Sequence, residues 1–386
     1  MNKSMNLIKE TGQHFIVNFD YLKPYTEEIL SFLEENSYMQ TLDFAKSILF
    51  NEEIKFNNNI EGINDGIEFI DNIINKMHSS KDEIENKRII NLYKGYKYIL
   101  SNKEINKENL KELYTILSDD LLNSHDKEMM GNYYRSSDVF ILRGGHLTKP
   151  YMGLEEKQNT PFMGVKYDKI DELMDMLFEY INNNDDKTNN FVKSQIMHFY
   201  FVYIHPYFDV NGRTSRTVAI WYLINNKSYP YTIFNRAIAF SEKAYEENII
   251  KAKISGNMTL FLKYMLESVL KALEKEYLIN NISNNALSSI SKEELQVLEC
   301  FLSLKSELTV KDLAVIYNGY NNPKKIMELY NYRILPLIDK GIFLNLGQTK
   351  SYLAPNKNNV RLAINKKNIS IDLRKVKHLN LSRYIY

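Results

Sequence analysis

A chain of 386 residues is longer than one compact core usually organises, so two or three domains are expected. Hydrophobic residues at 44% and charged residues at 25% are ordinary for a soluble globular protein, and a formal charge of +1 excludes a global electrostatic pull toward nucleic acid or membrane. The single cysteine, Cys300, excludes an internal disulfide framework and any multi-cysteine zinc site; within LQVLECFL it reads as a buried, inert thiol. The first 15 residues lack an uninterrupted apolar stretch, and no run of about 18 apolar residues follows. The expectation is a cytoplasmic protein without a membrane span.

Only 14 Gly and 8 Pro punctuate the chain, and apolar residues recur mostly at spacings of three and four, so a mainly α fold is expected. The spacing predicts helices over 26–55, 65–78, 82–101 and 107–121. Residues 131–165 then concentrate glycine and proline, and DVFILRGG within them predicts a strand running into a hairpin or flap. Helices resume over 167–182, 189–204, 213–226, 240–254 and 257–277. The polar segment NNISNNALSSIS (280–291) reads as a linker. Beyond it, three helices (292–304, 308–318 and 322–341) precede two short strands around Gly347, which is the order of a winged helix-turn-helix. A basic tail follows Asn356.

The chemistry concentrates in HPYFDVNGRTSR, His205 to Arg216, between an apolar helix and an amphipathic one. A loop entering a helix N-terminus presents free amide N–H groups and the positive end of the helix dipole, which attract phosphate. Gly212 permits an anion-cradling turn, and Arg213 and Arg216 stand three apart on the first turn, where both can reach one polyphosphate. Asp209 offers a hard oxygen for magnesium, and His205 can accept a proton from an attacking hydroxyl. Base, metal carboxylate, amide nest and cationic clamp are the parts that phosphoryl or nucleotidyl transfer needs. Each has a bland reading alone; their order within twelve residues is specific.

This loop resembles the Fic signature His-Pro-Phe-x-Asp/Glu-Gly-Asn-Gly-Arg-x-x-Arg at His205, Pro206, Asp209, Asn211, Gly212, Arg213 and Arg216, with Tyr207 in place of Phe. The resemblance implies a Fic-type helical bundle with a β-hairpin flap and AMP transfer from ATP to a Tyr, Thr or Ser hydroxyl of a target protein. By the same resemblance His205 is the general base and Asp209 holds Mg2+. Asn211 and the Gly212 amide bind the α- and β-phosphates, with Arg213 alongside, and Arg216 binds the γ-phosphate. Val210 departs from the pattern, standing where the family has Gly. At positive φ a β-branched residue would deform the nest; at negative φ its N–H can still donate.

The resemblance extends over roughly residues 50–275. GNYYR (131–135) is similar to the segment before the family's flap, so the DVFILRGG strand would pin a target segment by β-augmentation. Tyr245 stands where the family often has an aromatic near adenine, and His198 reads as a structural neighbour of the site. NNNIEG (57–62) resembles the family's inhibitory motif at Glu61 and Gly62, with Asn57 replacing the usual hydroxyl residue. The implied device is a Glu61 carboxylate offered to Arg216 in place of the γ-phosphate. The expected domains are an N-terminal helical region with the inhibitory motif (1–110), a Fic core (111–278), a linker (279–291) and a winged-helix-like domain with its tail (292–386). Fic proteins of this arrangement are often homodimers.

Two further readings stand beside autoinhibited AMP transfer. One is a regulator that senses nucleotide without turnover and binds DNA through 322–334, which carries Lys324, Lys325 and Arg333. The other is a Fic enzyme that removes AMP or transfers UMP, phosphate or another group.

Overall fold

The computed structural model describes residues 2–36, 49–63, 65–75, 77, 84–101, 104–141, 147–148, 162–183, 187–228, 234–239, 242–285, 290–302, 309–318, 322–348, 360–365, 367 and 373–379. The chain divides into two compact units, Met1–Gly62 with Lys76–Glu267, and Ile63–Asn75 with Ser268–Tyr386. The architecture is mainly helical, as expected from the apolar spacing.

The first unit opens on strands that the sequence reading lacks. β1 (Lys3–Ile8) and β2 (His14–Val17) pair antiparallel, with Lys3 opposite Val17 and Ile8 opposite His14. Alternation buries Met5 and Leu7 from one strand and Phe15 and Val17 from the other. Strands of six and four residues leave too short a period-two signal beside a strongly helical background.

α1 (Phe19–Glu35) starts at Asn18, whose side chain accepts from the Tyr21 amide, and ends at Asn36. α2 covers Leu49–Ile60, so the single helix expected over 26–55 is at least two elements; residues 37–48 lie outside those described. After α3 (Ile67–Asn75, in the second unit) come α4 (Ile84–Ser101), α5 (Lys107–Ser118) and α6 (Ser124–Glu128). The flap is a three-stranded sheet: β3 (Phe140–Ile141) lies between β4 (Leu147–Thr148) and β5 (Phe162–Met163). The strand of DVFILRGG is therefore central and both its edges are occupied, so an added strand would have to pair with β4 or β5. Leu142 to Gly145 of that segment lie outside the described residues.

α7 (Ile170–Asn182), α8 (Asn190–Ile204), α9 (Asn211–Asn225), α10 (Phe234–Ala239), α11 (Glu242–Ser255) and α12 (Thr259–Asn285) complete the helical succession. α8 has no exposed face: all but Asn190 and Val202 of it is buried, which makes it the central helix. α9 packs along it and buries Trp221 completely. The Phe15 ring meets Phe199, Tyr200 and Tyr203 of α8 edge-on at 5.4, 5.9 and 5.1 Å between centroids, fixing the N-terminal hairpin to this core. α12 runs past the expected end at 277: Leu278, Ile279 and Ile282 are buried at helical spacing, so the predicted linker begins as helix.

In the second unit α13 (Lys292–Leu302) starts with Ser291 and Glu294 capping each other's amides. α14 (Val310–Asn318) follows, then α15 (Pro323–Leu329), a π turn over Tyr330–Ile334 and α16 (Leu335–Asp339). The helix expected over 322–341 loses its regular ladder because Pro336 withholds an N–H and crowds the carbonyl four residues earlier. β6 (Phe343–Gln348) pairs with β7 (Val360–Ile364), Phe343 opposite Ile364 and Gln348 opposite Val360. Gly347 thus sits inside a strand and not at the turn between two. No described helix is long and apolar enough to cross a membrane.

Candidate functional site

The loop between α8 and α9 is held at both ends by backbone geometry that its sequence dictates. His205 ends α8 in a left-handed conformation, φ 54° and ψ 62°, with its N–H on the Phe201 carbonyl at 2.9 Å. Arg135, from the GNYYR segment, grips the turn: its amide donates to the Pro206 carbonyl at 2.9 Å and its Nε to the His205 carbonyl at 2.8 Å. The remaining guanidinium nitrogens hold the carbonyls of Ser137 and Val165. Burial, then the cations of Lys253 and Arg135, keep the His205 imidazole well below its usual range, so it is neutral and able to take a proton.

Inside the loop, Tyr207 is fully buried and stacks on Tyr114 with ring centroids 3.6 Å apart, so the replacement of Phe by Tyr keeps an aromatic floor. Asp209 is half-buried, and its Oδ1 accepts from the Val210 amide at 2.6 Å. Val210 adopts the left-handed region, φ 64° and ψ 11°, so this motif position does require the conformation in which a β-branched side chain is strained. Its amide is directed at Asp209. Asn211 is placed differently from the phosphate-facing role expected. Its Oδ1 accepts from the Tyr207 amide at 2.9 Å and its Nδ2 donates to the Tyr207 carbonyl at 2.8 Å. Both ends of the side-chain amide therefore brace the loop.

At the start of α9, Glu61 occupies the place where an anion would sit. Its Oε1 lies 2.6 Å from Arg216 Nη2, and a Cβ added at Gly212 would collide with that same oxygen. The carboxylate thus rests against the helix N-terminus, where only glycine leaves room. Glu61 reaches this point because α2 stops there: Gly62, at φ 78°, closes the helix with its amide on the Asn59 carbonyl at 3.0 Å. Arg216 is 1% exposed, and Asn57 orients it, its Oδ1 accepting from Nε at 3.0 Å and from Nη2 at 2.7 Å. Asn57 was read only as a departure from the motif; it holds the clamp that Glu61 occupies. Burial raises the Glu61 carboxyl, but Arg216, Arg213 and Arg88 together outweigh it and hold the group below its usual value. Arg213 is buried, and its Nε, itself inaccessible, has no hydrogen-bond partner among the described residues.

Tyr245 does not line an open adenine surface. Its hydroxyl lies 2.7 Å from His198 Nε2 and bonds to Arg216, and both rings are buried behind the clamp. Burial and the Arg216 charge push the His198 imidazole down to about 3, so it is a neutral support. Behind α2, Tyr96 accepts from Asn57 at 3.0 Å and from Asn235 at 2.9 Å, and Glu52 pairs with Arg236. These partners come from distant segments and carry no motif, which is why sequence reasoning missed them.

The site thus combines a neutral imidazole, a half-buried carboxylate, and an anion position at a helix N-terminus flanked by two arginines. Residues 104–223 match the profile of the Fic/DOC family, so the chain carries a Fic/DOC family domain. Among solved structures, it is similar to a Fic family protein from Desulfovibrio desulfuricans G20 at 18% identity and a TM-score of 0.56, over 89% of this chain and 95% of that one, which shows a shared fold. A Fic-1 fragment from C. elegans is similar at 13% identity and a TM-score of 0.45, covering 66% of this chain and 72% of its own length. A Fic domain containing signaling protein from Bacteroides thetaiotaomicron VPI-5482 is similar at 16% identity and a TM-score of 0.44, covering 66% of this chain and 96% of its own length.

Proposed function

We propose that the Fic/DOC domain over residues 104–223 transfers AMP from ATP to a Tyr, Thr or Ser hydroxyl of a target protein in the cytoplasm, and that Glu61 restrains it. The observation that carries this reading is the Glu61 carboxylate seated on Arg216 and the N-terminus of α9. A carboxylate there occupies the position suited to the terminal phosphate of a triphosphate. With ATP in place, the target hydroxyl attacks the α-phosphorus, its proton passes to neutral His205, the new oxygen–phosphorus bond forms, and the bond to pyrophosphate breaks.

Among the described residues no group of three or more His, Cys, Asp or Glu side chains could hold a metal by itself. That donor set fits Mg2+ bound through one carboxylate, Asp209, with phosphate and water oxygens filling its octahedron. When bound, the ion would neutralise charge developing on the phosphates. Asn211 keeps the loop in register by its two bonds to Tyr207, and the first amides of α9, which have no carbonyl four residues back within the helix, would face phosphate once Glu61 withdraws.

The test is incubation of wild type, Glu61→Gly and His205→Ala with α-phosphate-labelled ATP and magnesium, in the presence of lysate. Protein labelling that rises in the first variant and disappears in the second supports the reading. Equal labelling of Glu61→Gly and wild type removes the restraint, and nucleotide binding without labelling in any form removes the transferase.

One observation favours a nucleic-acid role for the second unit. Residues 341–386 contain nine Lys and Arg against one Asp, although the whole chain is nearly neutral. Such a segment, which follows three helices and contains the strand pair in winged-helix order, suits duplex DNA, with exposed Lys324 on the third of those helices facing phosphate. Anisotropy of a labelled duplex at low salt should report binding that Lys324→Glu with Lys325→Glu weakens; no binding in wild type removes this role.

A further inference from the structure

α8 ends where Pro206 begins the loop, and proline has no N–H. In a continuing helix the Val202 carbonyl would accept from residue 206; here that donor does not exist, and the carbonyl sits at the negative end of a buried helix. Lys253, in the last turn of α11, brings its Nζ to that oxygen at 3.1 Å. The lysine is 7% exposed, and its ammonium lies 6.0 Å from the Tyr203 ring centroid. Nothing in the motif asks for a cation there, and a buried lysine is costly unless it has a task.

We propose that Lys253 is the positioning residue of the His205 turn, supplying the donor that Pro206 withholds and fixing the imidazole against the end of α8. Two cations then grip the turn from opposite elements: Lys253 on the Val202 carbonyl, and Arg135 on the His205 carbonyl. The charged groups around the imidazole are these two, with Asp138 and Glu10 beyond Arg135 and Asp209 further along the loop. The same ammonium disfavours a second positive charge on the ring, and burial in turn draws Lys253 down to about 7. Lys253 touches no reacting atom in this scheme; it acts through His205, whose role as base rests on the transferase reading.

Two variants separate capping from charge. Lys253→Met removes both, whereas Lys253→Gln keeps a neutral N–H donor for the Val202 carbonyl. In a Glu61→Gly background, Lys253→Met should lower the turnover number about tenfold or more with the nucleotide KM unchanged, and Lys253→Gln should restore most of it. Independently of any activity, nuclear magnetic resonance of the His205 imidazole should show its titration midpoint rising by about one pH unit in both variants. Unchanged turnover and an unchanged imidazole midpoint in Lys253→Met would overturn the proposal. If Lys253→Met does not fold, Lys253→Gln decides by the imidazole midpoint: a rise supports the proposal and no movement overturns it. If wild type proves to have no transferase activity, the midpoint still decides, so failure of the transferase reading is distinguishable from failure of this one.

Discussion

The two ends of the His205–Arg216 loop are satisfied by opposite charges, and the contrast separates permanent from provisional structure. At the α8 end, helix carbonyls and the turn that follows them are held by cations, Lys253 and Arg135, both buried. At the α9 end, helix amides and arginines face an anion, the Glu61 carboxylate, whose side chain keeps 26% of its surface exposed. Helix dipoles prefer this arrangement at each end. The difference lies in what can replace each partner. No ligand competes for a backbone carbonyl packed under Arg135, whereas a phosphate can compete for Arg216. His205 is built in, and Arg216 is lent to Glu61.

Breaking the permanent end should have the largest effect. His205→Ala should lower transfer by about two to four orders of magnitude, the usual contribution of a general base, while nucleotide affinity stays the same. Calorimetric nucleotide binding beside a labelling assay checks both halves; a matching loss of affinity would mean that the imidazole holds nucleotide and is not the base.

Breaking the provisional end should act in the other direction and less strongly. A charge-assisted hydrogen bond contributes about 1.5–3 kcal/mol, so its loss in Glu61→Gly should tighten apparent nucleotide affinity about tenfold to a hundredfold. Asn57→Ala should sharpen the picture. It leaves Glu61 in place but removes the acceptor that aims Arg216, so it should weaken nucleotide binding about threefold to tenfold in the Glu61→Gly background. Titration calorimetry of the single and double variants reads both effects; tighter binding in Asn57→Ala would show that Asn57 belongs to the restraint and not to the clamp.

This asymmetry also explains what was legible in the sequence. The motif residues His205, Asp209, Gly212, Arg213 and Arg216 are close in sequence, and their spacing alone brings them to one loop; Glu61, about 150 residues away, was legible only through the resemblance of NNNIEG to an inhibitory motif. The long helices α4, α5 and α7 were readable because their apolar period repeats over three turns or more. Asn57, Arg135 and Lys253 were not readable as supports, because each acts on backbone or guanidinium groups from another element. The bonds of Asn211 were not legible for a related reason. A side-chain amide can face phosphate or its own loop, and only the positions of the Tyr207 N–H and carbonyl decide which. The β1–β2 hairpin was missed because its partners on α8 lie almost two hundred residues away, as the Tyr200 hydroxyl on the Ile8 carbonyl illustrates.

The response to pH should be smaller again. Glu61 is held below its usual value near 4.5, so its contact with Arg216 is complete above that value and is lost only as pH falls through the lowered one. Acidification from 7 to about 5 should therefore leave the restraint intact. His205 lies well below 6.5, so the rate of Glu61→Gly should not fall by half on passing through that pH. A pH–rate profile with an acid limb near 6.5 would show that the imidazole is solvated in the working state.

The smallest effect is expected at Val210, which stands where the family pattern has Gly. The structure adopts φ 64° there with valine, so the loop conformation does not depend on glycine. The strain costs about 1–3 kcal/mol, and Val210→Gly would remove it. The valine side chain, however, is 3% exposed, and its burial contributes about 1.5–3 kcal/mol that glycine cannot replace. Glycine also adds backbone freedom to the unfolded chain, at about 0.5–1 kcal/mol. Relief and loss nearly cancel, so Val210→Gly should leave stability unchanged or lower it by about 1 kcal/mol in urea unfolding. Nucleotide affinity should move by no more than about twofold, because the Val210 amide is already spent on Asp209. Stabilisation by more than about 2 kcal/mol would show that strain outweighs burial at this position, and that the loop is held in its working shape against its own valine.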